Sequence, residues 1–194
     1  MREFVLASAS PRRKELLSQI GIDFRIDVSN AEENTVSLEP GEIVKDLSYT
    51  KAMEVYGRQN DNVVVVVIGA DTIVYSNGKV LGKPKDTQEA YTMIHSLQGA
   101  VHQVYTGVTL VWQENADTRY ASFYEMTEVE LYPMNEEEIL QYIAMKEPYD
   151  KAGGYAVQGY FARYVKGING DYNNVVGLPV GRLYQELTSL NLLS

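Results

Sequence analysis

The sequence lacks cysteine altogether and has no long apolar run. Without cysteine, the chain can form neither a disulfide framework nor a thiolate nucleophile, and it can hold no zinc site with sulfur ligands. Its longest apolar run, Val63–Ile68, is too short to span a bilayer. The N-terminus has neither an extended apolar region nor the cleavage pattern of a secretory signal. We therefore expect a soluble, cytoplasmic protein that does not bind membranes.

Positive charge is also scarce, with 17 Lys and Arg against 26 Asp and Glu and a formal net charge of −9. A protein this acidic is not expected to bind nucleic acid over a broad face, because neutralising phosphates takes clustered Lys and Arg. The hydrophobic fraction of 45% and the charged fraction of 22% are those of a folded globular chain. The places in the sequence where Lys and Arg cluster are therefore informative about function.

Strand-like and helix-like segments alternate along the chain, which predicts an α/β fold. Ser10 before Pro11 predicts the start of a helix, since a hydroxyl N-cap precedes proline at the first helical position. The β-branched run Val63–Ile68 predicts a central strand, which passes through Gly69–Thr72 into a further strand. With no linker or repeat in between, we expect one domain over residues 1–194, which could consist of two lobes.

The second half of the chain follows the same alternation. Thr87–Leu97 predicts a helix, and Val101–Trp112 with Arg119–Tyr132 predicts a long antiparallel pair of strands. Lys151–Pro179 is rich in Gly, Tyr and Asn without helical periodicity, and long irregular stretches inside compact domains are often functional. A final helix is expected at about Val180–Leu190.

Three cations, Arg12, Arg13 and Lys14, occupy the predicted first turn of the first helix, where the helix dipole disfavours positive charge. This placement indicates a bound anion, and guanidinium groups beside helix N–H groups make a plausible phosphate site. A solvated basic turn on a surface helix explains the same residues equally well. Neither a Walker loop nor a dinucleotide-binding glycine motif is present.

Asp71 is the candidate carboxylate, because it directly follows the predicted Val- and Ile-rich strand. A carboxylate at a buried strand end is costly unless it has a partner or a chemical role. Such a group could act as general base for water or as a metal ligand. Capping of a turn is the structural alternative.

Taken one at a time, the other charged candidates are best explained as solvated surface charges. Glu32 and Glu33 would be solvated charges unless the fold brings one of them beside Asp71, where two carboxylates could share Mg²⁺. Lysines are usually solvated too, and those of interest are Lys51, Lys83 and Lys85. The two histidines, His95 and His102, are not spaced as a metal-binding pair, and we expect both to be structural.

Several motifs occur together and in order: L-A-S-A-S-P-R-R at 6–13, G-A-D-T-I-V at 69–74, G-K-P at 82–84, D-K-A-G-G-Y-A-V-Q-G at 150–159 and I-N-G-D-Y-N-N-V-V-G-L-P at 168–179. Together they resemble the Maf family over nearly the whole chain. The resemblance implies a fold related to inosine triphosphate pyrophosphatases, with a long twisted mixed sheet flanked by helices and two lobes around a central cleft.

The resemblance also implies a function. Members of the family are nucleoside triphosphate pyrophosphatases, which cleave between the α- and β-phosphates to give a nucleoside monophosphate and pyrophosphate. They need a divalent cation, for which Mg²⁺ or Mn²⁺ is expected here. The form of the 150–159 motif resembles the subgroup that acts on dTTP and UTP, and modified uridine triphosphates are further candidate substrates. A homodimer is expected at the level of the family.

The resemblance also implies site residues, which are taken position by position from the matching motifs. Asp71 matches the family's proposed catalytic base, and with Glu33 it would hold the metal. The family's specificity positions correspond to Arg12, Thr72 and Gln158. The positions that line the phosphate and metal site correspond to Ser8, Arg13, Glu33, Lys51 and Lys83. The segment before Glu33 departs from the common family pattern, which leaves Glu32 as the alternative carboxylate.

A second function remains open at this point. The family was first associated with inhibition of septum formation, so the chain could be a non-catalytic, nucleotide-sensing regulator of cell division. Such a module would bind nucleotide tightly without hydrolysing it, and its binding would depend little on Asp71.

Overall fold

The computed structural model of the protein describes residues 2–59, 64–145 and 147–193. These residues form two compact units. The first comprises Met1–Asp71, Thr106–Glu125 and Gly177–Ser194, and the second comprises Thr72–Tyr105 and Met126–Val176. The predicted strand residue Val63 lies outside the described residues.

The strands, numbered in chain order, are β1 Glu3–Leu6, β2 Phe24–Ile26, β3 Val65–Ser76, β4 Lys79–Leu81, β5 Val101–Glu114, β6 Asp117–Leu131 and β7 Val165–Asn169. In the described residues they form one sheet in the order β2-β1-β3-β5-β6-β7, with β4 paired to β3. Strand β1 runs parallel to β2 and β3, whereas β4 is antiparallel to β3 and β7 is antiparallel to β6. The predicted α/β fold with a mixed sheet is confirmed.

The helices are α1 Pro11–Gln19, α2 Pro40–Tyr56, α3 Thr87–Leu97, α4 Glu136–Ala144, α5 Tyr172–Val176 and α6 Val180–Ser189. Helices α1, α2 and α6 belong to the first unit, and the other three belong to the second. Among the described residues, no helix is long and apolar enough to cross a membrane.

Local sequence signals account for several element boundaries. Ser10 caps α1 as predicted, with its side chain accepting a hydrogen bond from the Arg13 N–H, and Pro11 is the first helical residue. Helix α3 has the predicted bounds Thr87–Leu97. The stretch predicted to be irregular consists mainly of short 3₁₀ turns together with β7, but it also contains the unpredicted five-residue helix α5.

The surroundings of Asp71 differ from the prediction. Strand β3 is continuous over twelve residues, so Asp71 lies within the strand rather than after its end. Ala70, directly before Asp71, and Ile73, two residues after it, are buried on opposite faces of the strand, and a pleated strand can continue through polar residues when its neighbours pack on both faces. The carboxylate is therefore held by a rigid element and not by a turn.

Gly69 allows helix α2 to lie directly against β3. A methyl group added at Gly69 would lie 2.3 Å from the backbone oxygen of Ser48 and 2.8 Å from the Ala52 side chain. No side chain fits into that space, and the contact places the middle of α2 beside the strand position two residues before Asp71. The glycine therefore fixes the distance between the helix and the strand that carries the carboxylate.

We predict that Gly69→Ala lowers the free energy of unfolding by about 2 kcal/mol or more, because the added methyl group overpacks a backbone contact. Gly181→Ala in α6 is the matched control, since a methyl group there meets no atom within 4 Å. That control should be neutral or stabilising by about 0.5–1 kcal/mol. Urea denaturation followed by circular dichroism measures both, and equal stabilities would contradict the close packing.

Candidate active site

Asp71 is paired with a lysine from the neighbouring helix. The Lys51 Nζ lies 2.6 Å from Asp71 Oδ1. Both side chains are largely withdrawn from water, with 14% of Lys51 and 11% of Asp71 exposed. The lysine therefore compensates a carboxylate that would be costly to bury alone.

A second carboxylate reaches the same lysine. Glu33 Oε1 lies 2.8 Å from Lys51 Nζ, so the ammonium group contacts both Glu33 and Asp71. The Glu33 side chain is 60% exposed, which leaves it accessible to a ligand. Glu32 points elsewhere and accepts a hydrogen bond from the Asn34 side chain at 3.0 Å. The two adjacent glutamates, indistinguishable by type, are thus distinguished by their contacts.

The start of α1 is organised by two hydroxyl groups. Ser8 Oγ accepts hydrogen bonds from the Ser10 N–H at 3.3 Å and from Arg13 Nη1 at 3.1 Å. Ser10 Oγ accepts a hydrogen bond from the Arg13 N–H at 3.5 Å. Two backbone N–H groups at the start of α1, those of Ser10 and Arg13, are therefore already hydrogen-bonded within the turn.

Arg13 is held at a defined place beside this turn. Its Nε donates to the Gly177 carbonyl at 2.9 Å, in addition to the bond from Nη1 to Ser8. This role of Gly177 could not be predicted from the sequence, because a main-chain carbonyl leaves no signature in residue type. The motif at 168–179, which contains Gly177, was the only signal.

Burial lowers the pKa of Arg13, and the positive charge of Arg12 acts in the same direction. Asp71 and Glu33 oppose that shift, which shows that both carboxylates act electrostatically on Arg13. A guanidinium group keeps its charge in proteins. Arg12, Arg13 and Lys51 thus give the cluster a formal excess of one positive charge over Asp71 and Glu33, although the chain carries −9 overall.

The remaining predicted site residues belong to the second unit. Thr72 is half-buried in β3, whereas Lys83 and Gln158 are exposed in irregular segments. Two of their segments are joined, because the Gly153 N–H donates to the Gly82 carbonyl at 3.0 Å. Each unit thus contains a group of candidates, with Ser8, Arg12, Arg13, Glu33, Lys51 and Asp71 in the first and Thr72, Lys83 and Gln158 in the second.

A protein-family model described as Maf-like protein matches residues 3–190. The chain belongs to the Maf family. The resemblance noted in the sequence is thereby confirmed over nearly the full length.

Members of the family with curated names are similar to this Maf-family chain at close to full length. A protein of Agathobacter rectalis named dTTP/UTP pyrophosphatase is 50% identical over 203 residues, covering 99% of each chain. One of Lachnoclostridium phytofermentans with the same name is 47% identical, covering 99% of this chain and 97% of its own. Among solved structures, a nucleoside-triphosphatase / dITP/XTP pyrophosphatase from Mycobacterium abscessus matches with a TM-score of 0.38 and 11% identity, covering 68% of this chain and 75% of its own.

The carboxylates at the site of this Maf-family protein suit a cation that takes its remaining oxygen ligands from water and a bound ligand. In the parts of the chain that the structure describes, no three Asp, Glu or His side chains are grouped so that they could hold a metal ion by themselves. Glu33 and Asp71 provide two carboxylates around one lysine. Mg²⁺ is commonly bound by one or two carboxylates together with water and substrate phosphates, so two are sufficient.

We predict that Lys51 and Asp71 are energetically coupled. A double-mutant cycle with Lys51→Met and Asp71→Asn should give a coupling free energy of about 1–3 kcal/mol, because Lys51→Met removes the cation that compensates the buried Asp71 carboxylate, and Asp71→Asn leaves Lys51 with only the exposed Glu33 of its two carboxylate contacts. Lys166 and Glu130 form a control pair of similar length, 2.7 Å, but both side chains are more than 40% exposed.

The control cycle, Lys166→Met with Glu130→Gln, should give a coupling of less than about 1 kcal/mol, because solvent screens exposed pairs. Chemical denaturation of the four proteins in each cycle supplies the free energies of unfolding. Equal coupling in the two cycles would show that the Lys51–Asp71 pair is no more desolvated than a surface ion pair.

Proposed function

We propose that the protein hydrolyses dTTP and UTP between the α- and β-phosphates, releasing the nucleoside monophosphate and pyrophosphate. The names of the relatives support nucleoside triphosphate pyrophosphatase activity on these two substrates. The structural observation that carries the proposal is the contact of Lys51 with both Asp71 and Glu33 beside the basic start of α1. Modified uridine triphosphates are further candidate substrates.

The cations of the first unit have the chemistry to bind a triphosphate. Arg12 and Arg13 can each donate two hydrogen bonds to phosphate oxygens, and Lys51 can contribute a point charge. Ser8 accepts the bond from Arg13 and can donate its own hydroxyl hydrogen to a phosphate oxygen. Lys83 of the second unit is exposed and is assigned to the phosphate groups by its place in the G-K-P motif.

Asp71 is the proposed base for the attacking water. As water attacks the α-phosphorus, its proton passes to the Asp71 carboxylate, and the bond from that phosphorus to the bridging oxygen breaks. Pyrophosphate leaves with the electrons of that bond, and the cations facing it stabilise the charge that develops. The placement of Asp71 within a strand suits this role, since a rigid element holds the carboxylate oxygen in place.

Glu33 and Asp71 are the proposed ligands of a divalent cation, Mg²⁺ or Mn²⁺. When bound, the cation would lower the pKa of water and neutralise phosphate charge. Lys51, which contacts both carboxylates, would supply a positive charge beside the cation and could donate a hydrogen bond to a phosphate oxygen.

Gln158 is the proposed reader of the base. Its amide has both a donor and an acceptor, which matches the N3–H and O4 edge of uracil and thymine. Cytosine presents the reverse pattern at these two positions, so a fixed amide would disfavour it. Arg12 and Thr72 are the other two proposed specificity residues.

The alternative function, a nucleotide sensor without catalysis, is not favoured, because the relatives carry the name of an enzyme. The homodimer and the cytoplasmic location expected from the sequence stay predictions.

We predict that Asp71→Asn lowers kcat for UTP at least about a hundredfold, because it removes the proton acceptor while keeping the shape of the side chain. Asp117→Asn, at a position 72% exposed in the β5–β6 hairpin, should leave kcat unchanged. Phosphorus NMR of the products measures the rate and should show pyrophosphate with UMP. Full activity of Asp71→Asn would remove this residue from the mechanism.

The two adjacent glutamates should differ in metal dependence. We expect Glu33→Gln to raise the Mg²⁺ concentration for half-maximal activity about 10–100-fold, since a cation ligand is lost. Glu32→Gln, which changes only the contact with Asn34, should titrate like the wild type. The initial rate with UTP is measured over a series of Mg²⁺ concentrations. The opposite result would assign the metal to Glu32.

A further inference from the structure

A buried histidine is bonded to the motif that carries Gln158. His102, near the start of β5, is 2% exposed, and its Nε2 lies 2.5 Å from the Tyr155 hydroxyl oxygen. The two rings meet edge to face, with centroids 5.4 Å apart. The other ring nitrogen, Nδ1, is buried and makes no hydrogen bond to any residue that the structure describes. Among these residues, Tyr155 is thus the hydrogen-bond partner of the imidazole ring.

Both partners are uncharged at neutral pH. Burial lowers the pKa of His102 to about 4, and burial raises the pKa of Tyr155. The hydrogen bond therefore joins two neutral groups, and because both side chains are buried, neither can hydrogen-bond to solvent instead. Burying a polar ring costs more than burying leucine unless its nitrogens are hydrogen-bonded, and the Tyr155 hydroxyl satisfies one of the two.

Tyr155 anchors one end of the short segment that presents Gln158. Tyr155 and Val157 are buried, whereas Gln158 and Gly159 are exposed. At the other end, Phe161 is completely buried and its ring centroid lies 4.7 Å from that of Tyr155. The exposed amide is thus carried by a few residues between two packed aromatic anchors.

The preceding part of the motif is fixed to the same unit. A methyl group added at Gly153 would lie 2.9 Å from the Val74 side chain on β3, so the backbone lies against that strand. The backbone bond from Gly153 to Gly82 joins it to the G-K-P loop. Because Gly153 and Tyr155 are both held in place, a shift of Tyr155 would change the position of the exposed Gln158 three residues later.

We propose that His102 is a positioning residue for pyrimidine selection, acting through its hydrogen bond to Tyr155 on the segment that presents Gln158. This inference rests on the proposed role of Gln158. An amide distinguishes uracil from cytosine only while its donor and acceptor keep their orientation, because a half-turn exchanges them. Loss of the anchor should therefore reduce selectivity before it reduces the rate of the chemical step.

The test compares kcat and KM for UTP and CTP, with Mg²⁺, in the full chain and its variants. Tyr155→Phe removes the hydroxyl and keeps every ring carbon, and His102→Leu removes the polar ring. We expect each to lower the ratio of kcat/KM for UTP over CTP about three- to tenfold, the range of one hydrogen bond. The change should arise mainly in the KM for UTP, with kcat within about twofold of the wild type.

Two further variants separate positioning from general destabilisation. His102→Gln, which restores a group able to bond the Tyr155 hydroxyl, should recover part of the selectivity. His95→Leu changes the other histidine, which is exposed on α3, and should leave the ratio unchanged. The double variant of His102→Leu and Tyr155→Phe should lose no more selectivity than one single variant, because both remove the same bond.

Binding of non-hydrolysable UTP and CTP analogues by calorimetry gives an independent readout of the same ratio. A selective wild type whose variants lose thermal stability but keep the ratio would overturn the inference and leave the proposed function intact. A wild type that neither hydrolyses nor binds UTP in preference to CTP would overturn the proposed role of Gln158, and the inference with it.

Discussion

Burying a carboxylate in a strand is costly unless a nearby cation compensates its charge, and the residues around Asp71 provide that compensation. Lys51 meets it from α2 at 2.6 Å, and Glu33 joins the same ammonium group at 2.8 Å. The helix can supply the lysine only because Gly69 lets its backbone lie directly on β3. Packing and charge compensation thus depend on each other, since Gly69 allows α2 to approach β3 and α2 carries the lysine that compensates Asp71.

The same arrangement concentrates positive charge in an acidic molecule. Arg13 is held by Ser8 and the Gly177 carbonyl, and it lies within electrostatic reach of Asp71 and Glu33. A triphosphate would find guanidinium and ammonium groups together with two carboxylates able to share a divalent cation. In the proposed roles, the first unit supplies the carboxylates and most of the phosphate-binding cations, and the second supplies Lys83 together with Gln158 and Thr72 for base selection.

Features encoded by neighbouring residues could be predicted from the sequence. The start of α1 follows from Ser10 and Pro11, because capping depends on side chains within one turn of the chain. The alternation of strands and helices likewise predicted the α/β fold. The motifs identified the family before any contact between residues was known.

Features that depend on distant contacts could not be predicted in this way. Asp71 was expected after a strand, because the run of Val and Ile ends at Ile68, whereas β3 continues through Gly69, where α2 packs against it. Glu32 and Glu33 are equivalent as residue types and differ only in what the fold places beside them. His102 was expected to be structural, and its bond to Tyr155 joins residues 53 positions apart.

The central claim is that water attacks the α-phosphorus of the substrate, the step for which we propose the cluster of Asp71, Lys51 and Glu33. Hydrolysis of UTP in water enriched in ¹⁸O, followed by mass spectrometry of both products, tests it most directly. The account predicts one ¹⁸O atom in UMP and none in pyrophosphate. Label in pyrophosphate, or release of orthophosphate with UDP, would contradict it.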